Sequence, residues 1–273
     1  MGISDKAGSH WVDYEGDMTA CQVTIRNLSH SYGDDEPLRV LDDISLDVQP
    51  GQFVSIVGPS GCGKSTLLRA IGGLLTPTSG EVMVDEQTPR QLQQKMGIGF
   101  VFQDPALLPW RSVRKNIDLP LEVAGGRTRR AGRKAVRELL DLVGLREFSS
   151  YPPYQLSGGM QQRVAIARAL AFDPPLLLMD EPFGALDEIT REAMRQELQR
   201  IWAAARKTVF FVTHSIREAA LLSDRVIVLS PRPARVLGSF EVTLPRPRTE
   251  QTEDDPEFLA CIGTLREALR LAA

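Results

Sequence analysis

Apolar and polar residues first mix in a strand-like rhythm. From Cys21, the apolar residues Val23, Ile25 and Leu28 stand among polar neighbours. Val40, Leu41, Ile44, Leu46 and Val48 continue the pattern up to Pro50-Gly51, a turn signal. Phe53-Val-Ser-Ile-Val57 is the next strand. Thr66-Leu-Leu-Arg-Ala-Ile71 reads as a helix ending at Gly72-Gly73. Glu81-Val-Met-Val-Asp85 and Ile98-Gly-Phe-Val-Phe102 read as short strands. From Pro105 to Leu170 the pattern is mostly helical, with breaks at Pro109, Pro120, Gly125-Gly126 and Pro152-Pro153. Leu176-Leu-Leu-Met179 is continuously apolar, as a buried parallel strand is. A helix over Glu188–Ala205, a strand over Thr208–Val212, a short helix over Ile216–Leu222 and a strand over Arg225–Leu229 follow. Strands alternating with helices predict an α/β fold with a mainly parallel sheet covered on both faces. The half-apolar strands before it predict an N-terminal antiparallel β subdomain.

Past Pro231 the rhythm changes. Pro231-Arg-Pro233 and Pro245-Arg-Pro247 read as turn or extended elements. From Pro256, Phe258, Ile262, Leu265 and Leu269 share one helical face. This helix is expected to dock on the body of the protein, a partner-binding helix being the alternative. Residues 1–18 are polar and mixed, and are read as a loose leader. The expected division is that leader, a main domain over 19–240 with a helical subdomain inserted at about 104–170, and a C-terminal extension over 241–273. Internal repeats and low-complexity tracts are absent from the sequence.

Composition removes several function classes. At 42% hydrophobic, the 273 residues have ample material for a core. The net charge of −3 argues against a general nucleic-acid binder. Cys21, Cys62 and Cys261 form no C-x-x-C pair, so neither a disulfide framework nor a zinc site is indicated. The N-terminus lacks an apolar signal region, and Lys6 breaks the myristoylation pattern. Apolar runs fall short of the ~18 residues of a spanning helix. Membrane work would therefore depend on another chain. The basic cluster from Arg127 to Arg137 is read as a solvated helix face.

Candidate chemistry begins at Gly58-Pro-Ser-Gly-Cys-Gly-Lys-Ser65, a G-x-x-x-x-G-K-[ST] phosphate loop between a strand and a helix. Glycines let the backbone turn inward N–H groups toward phosphate oxygens, and the helix N-terminus adds its dipole. Lys64 reaches the terminal phosphates and Ser65 offers a hydroxyl to Mg²⁺. Cys62, beside a helix N-terminus, sits where a thiol pKa is lowered. Alkylation should then inactivate the protein and ATP protect it, although a small residue that simply fits is the plainer reading. Asp180 and Glu181 end an apolar strand at the sheet edge where α/β ligands bind. Asp180 suits Mg²⁺, and Glu181 suits a general base on the attacking water. Leu156-Ser-Gly-Gly-Met160 opens a second helix, with Ser157 as N-cap, and makes a second anion-seeking helix end.

Leu156-Ser-Gly-Gly-Met160 resembles the signature motif of the ATP-binding cassette family, and the motif order matches that family over residues 22 to 240. The resemblance implies head-to-tail pairing of two copies. Each ATP would lie between one phosphate loop and the other copy's Ser157, Gly158 and Gly159. Nucleotide contacts would come from Gly58, Ser60, Gly61, Cys62, Gly63, Lys64, Ser65 and Thr66. Tyr32 resembles the aromatic that stacks on adenine. Gln103 resembles the glutamine that reaches Mg²⁺ and the attacking water, and His214 the switch histidine at the γ-phosphate. With Glu181 these two form the implied catalytic set; Ser65, Gln103 and Asp180 form the metal set. Ala185-Leu-Asp187 resembles the D-loop, with Gly184 and Ser215 departing from the commoner Ser and Asp.

A single cassette without a membrane span or long heptads leaves a separate subunit of an importer or multi-subunit exporter. A regulatory ATP-binding protein is the alternative from another class. Phe102-Gln-Asp-Pro-Ala-Leu-Leu-Pro-Trp-Arg-Ser-Val113 and Leu244-Pro-Arg-Pro-Arg248 resemble the nitrate/sulfonate/taurine importer group. Integral membrane permease subunits and, indirectly, an extracytoplasmic substrate-binding protein are then the implied partners. The implied location is peripheral, on the cytoplasmic face of the inner membrane. Leu107, Leu108, Pro109 and Trp110 suit a surface receiving a permease helix; alternatively Trp110 anchors the insert's own core.

Overall fold

Strand β3 (Phe53–Val57) lies at the centre of the chain's larger sheet, and its residues are buried at every position. The computed structural model describes residues 20–33, 35–124 and 136–271. The leader and most of the basic cluster lie outside them.

The larger sheet has the order β5-β6-β7-β3-β8-β9, where β5 is Ile98–Val101, β6 Leu176–Asp180, β7 Thr208–Val212, β8 Arg225–Leu229 and β9 Val236–Glu241. Every neighbouring pair is parallel except β8–β9. Alternation along each strand feeds two different faces. Leu177, Met179, Val209 and Phe211 face one cluster, while Leu176, Leu178, Phe210 and Val212 face another. Helix α1 (Lys64–Ile71) covers the second face. The antiparallel sheet β2-β1-β4 packs there too, with β1 Val23–Tyr32, β2 Leu38–Val48 and β4 Ser79–Val84. A short helix α2 (Pro89–Gln94), which the hydrophobic pattern did not predict, starts with a capping box between Thr88 and Gln91.

The helical segment comprises α3 (Val113–Val123), α4 (described over 136–142) and α5 (Gly158–Leu170). It shares its hydrophobic cluster with the first sheet face and with α6 (Glu188–Ala205). The expected break at Pro120 does not occur, and α3 runs through it. Proline forfeits only the bond its N–H would make to Asn116, whereas Ile117 and Leu121 gain full burial.

The C-terminal part docks as expected. Phe258, Ile262 and Leu265 of α8 (Pro256–Leu271) are buried against α7 (Ile216–Leu222), β8 and β9. Arg248 anchors the approach. It is buried without a carboxylate and donates to the carbonyls of Leu244, Ala220 and Val242 at 3.2, 3.0 and 2.9 Å. Burial, with Arg246 nearby, lowers its pKa to about 10. Strand β9 lies between the two proline-flanked stretches read as turn or extended elements, where the hydrophobic pattern predicts no strand. It is an edge strand with alternating half-buried and exposed positions. Among the described residues no helix is long and apolar enough to cross a membrane.

Candidate functional site

The loop between β3 and α1 turns tightly because two of its glycines adopt φ values that residues with side chains rarely take, +72° at Gly61 and +123° at Gly63. A side chain at Gly63 would also strike Val40 at 2.9 Å, so β2 lies hard against the loop. Lys64 folds over this turn and donates to the carbonyls of Gly58 and Pro59 at 2.9 and 3.0 Å. Ser65 donates to Asp180 Oδ1 at 3.0 Å, joining the loop to the end of β6. Burial raises the Asp180 pKa, and the neighbouring Glu181 charge adds to the shift, while the Ser65 bond opposes it.

Glu181 leaves the strand with φ of +47°, a costly value for a residue with a side chain, yet its N–H still bonds to Val212 at 3.0 Å. Its Oε2 sits 3.5 Å from Gln103 Nε2 and 3.6 Å from His214 Nδ1. The three residues expected from different strand ends thus meet on one carboxylate oxygen. Tyr32 closes the other side, its hydroxyl 3.4 Å from Thr66 Oγ1 and its ring edge-on to His30 at 4.6 Å. Tyr32, Ser60, Gly61, Gly63, Lys64, Ser65, Thr66, Gln103, Glu181 and His214 line a single cavity of 500 Å³, with Leu38, Val40 and Arg232. The volume falls in the range of small-molecule sites. Arg232 was not anticipated, because no sequence pattern brings the β8–β9 loop against β2.

Ser157, Gly158 and Gly159 do not line this cavity. Ser157 caps α5 by accepting from Met160 N–H at 3.3 Å, and Ser157 and Gly158 are exposed. Space around Gly158 is open, whereas Gly159 backs onto Leu186 and the Ala185 carbonyl. The helix end therefore lies outside the cavity beside the chain's own phosphate loop, with Ser157 and Gly158 open to solvent. Gln162 of the same helix is buried and donates to the Phe102 carbonyl at 3.0 Å, next to Gln103. Asp187 caps α6 by accepting from Thr190 N–H at 2.9 Å. Ser215 caps α7 by accepting from Glu218 N–H at 3.3 Å, so serine performs the capping there.

A family model described as ABC transporter matches residues 41–184. The chain belongs to the ABC transporter family. It is 48% identical to the taurine import ATP-binding protein TauB of Rhizobium johnstonii over 235 residues, 85% of this chain and 88% of that one. It is 45% identical to the nitrate import ATP-binding protein NrtD of Synechococcus elongatus over 225 residues, 81% of each. Among solved structures it resembles the dimeric post-hydrolysis state of the ATP-binding cassette MJ0796 bound to ADP and Pi. The TM-score is 0.74 at 38% identity, with 82% of this chain and 100% of that chain covered. The fold is accordingly that of an ABC ATPase.

Two alternatives left open by the sequence are decided. Burial raises the Cys62 thiol pKa, outweighing the lowering by Lys64 and by backbone N–H groups, so the thiol is not an activated one. Trp110 is 77% exposed and does not anchor the insert's core; Leu107 packs there instead.

The metal-binding expectation fits the donors present. Ser65 and Asp180 already meet through oxygen atoms, the ligand type of a hard cation. Among the described residues no cluster of three or more His, Cys, Asp or Glu gathers for a metal. Mg²⁺ bound by one carboxylate plus substrate phosphates needs none.

Proposed function

We propose that the chain is the ATP-hydrolysing subunit of an importer for a small anion of the nitrate, sulfonate or taurine type. The observation that carries the hydrolytic part of this reading is the convergence of Gln103 and His214 on Glu181 beside the phosphate loop. Glu181 takes a proton from the attacking water, while Gln103 and His214 hold that water and the γ-phosphate in place. Lys64 supplies positive charge to the terminal phosphates. Tyr32 would stack on adenine, and Ser65, Asp180 and Gln103 would hold Mg²⁺, which would supply positive charge to the phosphates.

Two copies pair head to tail. Ser157, Gly158 and Gly159 lie outside their own chain's cavity, and a second copy's loop would present its ATP to them. Residues 19–240 form the cassette, and 241–273 an extension docked on it. The protein acts peripherally at the cytoplasmic face of the membrane, where permease subunits transmit closure and an extracytoplasmic binding protein delivers cargo. Exposed Trp110 and Tyr154 belong to the surface offered to the permease. Relatives named as taurine and nitrate import ATP-binding proteins support this substrate class.

ATPase activity measured across protein concentration tests this reading. A dimeric enzyme gives a more than linear dependence, with Lys64→Ala losing nucleotide binding. Strictly linear turnover, or turnover unaffected by Lys64→Ala, contradicts it.

A further inference from the structure

We propose that Arg232 is a phosphate-binding residue of the nucleotide site. The inference rests on the reading of the cavity as that site. Arg232 lies in the loop between β8 and β9 and lines the cavity with Ser60, Gly61 and Lys64. Among the described residues its guanidinium has no hydrogen-bond or ion-pair partner. Neighbouring arginines differ: Arg39 and Arg235 both pair with buried Asp42, and Arg225 reaches Glu241 at 3.7 Å.

An exposed arginine is ordinarily a solvated one, so its mounting decides the matter. Arg232 stands between two prolines, which restrict the backbone on both sides. The loop closes on Ser230, whose N–H donates to the Arg235 carbonyl at 2.9 Å and whose hydroxyl accepts from Arg235 N–H at 2.9 Å. It is then stapled to β2. Ala234 N–H donates to the Val40 carbonyl at 2.8 Å, Asp42 N–H donates to the Ala234 carbonyl at 2.9 Å, and Arg235 Nε donates to Asp42 at 2.6 Å. Arg232 is thus held two residues from a fixed point on the cavity wall.

That fixed point selects the phosphate end. Val40 is the residue a side chain at Gly63 would strike, and the Leu229 carbonyl is 3.0 Å from where a side chain at Gly58 would begin. Both ends of the loop therefore abut the phosphate loop. A planar guanidinium matches phosphate oxygens with paired N–H donors and keeps its charge at any working pH. Lys64 and Arg232 are the cations lining the cavity. A polyanion entering it meets charge from the loop floor and from the flank.

The test measures binding of ATP, ADP and adenosine to the full-length chain by calorimetry at low and moderate salt. The proteins compared are wild type, Arg232→Ala, Arg232→Lys and Lys64→Ala. Arg232→Ala is expected to weaken ATP and ADP about three- to tenfold at low salt, the scale of a partly solvated charge contact. Adenosine binding should not change, Arg232→Lys should fall between, and the salt dependence should flatten. ATP affinity within about twofold of wild type, while Lys64→Ala still loses binding, overturns the role of Arg232 and leaves the site standing. An equal loss for adenosine overturns the phosphate assignment. Wild type that binds no ATP, or Lys64→Ala that binds it normally, overturns the nucleotide site itself and the inference with it.

Discussion

Replacing Asn116 by Leu tests how the loop that displays Trp110 is held. Asn116 is fully buried at the start of α3, and its side chain serves the loop before it. Its Oδ1 accepts from Leu108 N–H at 2.8 Å. Its Nδ2 donates to the carbonyls of Leu108, Arg111 and Ser112 at 3.2, 3.1 and 3.1 Å. Leucine has similar volume but can make none of these bonds. Each bond is worth about 1 kcal/mol net, and the two Nδ2 hydrogens are shared among three carbonyls, so the expected loss is about 3 kcal/mol. With a urea slope of roughly 2–3 kcal/mol/M the midpoint should fall by about 1–1.5 M without a change in slope. Far-UV circular dichroism in urea reads this directly. ATP affinity should stay at the wild-type value, because Asn116 does not line the cavity beside the phosphate loop. A midpoint shift below about 0.2 M refutes the assignment of the loop's stability to this residue. Equal loss of ATP binding would show that the loop and the cavity are one mechanical unit.

Glu181→Gln should bind ATP normally and lower turnover by about 10²–10⁴, the scale of a general base; steady-state phosphate release checks this, and wild-type turnover would refute the base assignment. Asp180→Asn should raise the melting temperature of the nucleotide-free protein while removing Mg²⁺-dependent ATPase. The raised carboxyl pKa means its stabilising contribution is complete below pH 3.8, is lost as pH rises through the folded value, and leaves the ionised group a net cost at neutral pH. A lower melting temperature for the variant at pH 7 contradicts that sign. Among the thiols, half-buried Cys261 should react first with iodoacetamide, before buried Cys62 and Cys21, the last with a pKa pushed up to about 12. Peptide mapping that finds Cys62 labelled first would restore the activated-thiol reading.

Much of the larger sheet was legible because buried parallel strands read as unbroken apolar runs, as in Leu176–Met179 and Thr208–Val212. The face of α8 was legible because Phe258, Ile262 and Leu265 keep helical spacing. Strand β9 was not, since an edge strand needs few apolar residues and Gly238 brings no apolar side chain to one of its half-buried positions. Helix α2 escaped because its six residues are too few for a period, although Thr88, Pro89 and Gln91 spell its start. Within the site, motif order located Gln103, Glu181 and His214, and the fold supplied their meeting on one oxygen. Cys62 illustrates the opposite case. Its neighbours in sequence argued for a lowered pKa, but the packing of β2 and β8 against the loop, invisible in sequence, buries the thiol. Arg232 is of the same kind, carried to the cavity by hydrogen bonds to a strand far upstream in the chain.

The central claim is that each chain carries half of each active site. The most direct measurement mixes two inactive variants, Lys64→Ala and Ser157→Arg, and follows ATP hydrolysis. A mixed dimer unites the intact loop of one copy with the intact signature of the other. Activity should return to about one quarter of wild type with statistical mixing, as one of two sites is restored in half of the dimers. If the mixture stays as inactive as its components while both still bind partner chains, the two motifs act within one chain and the composite site is wrong.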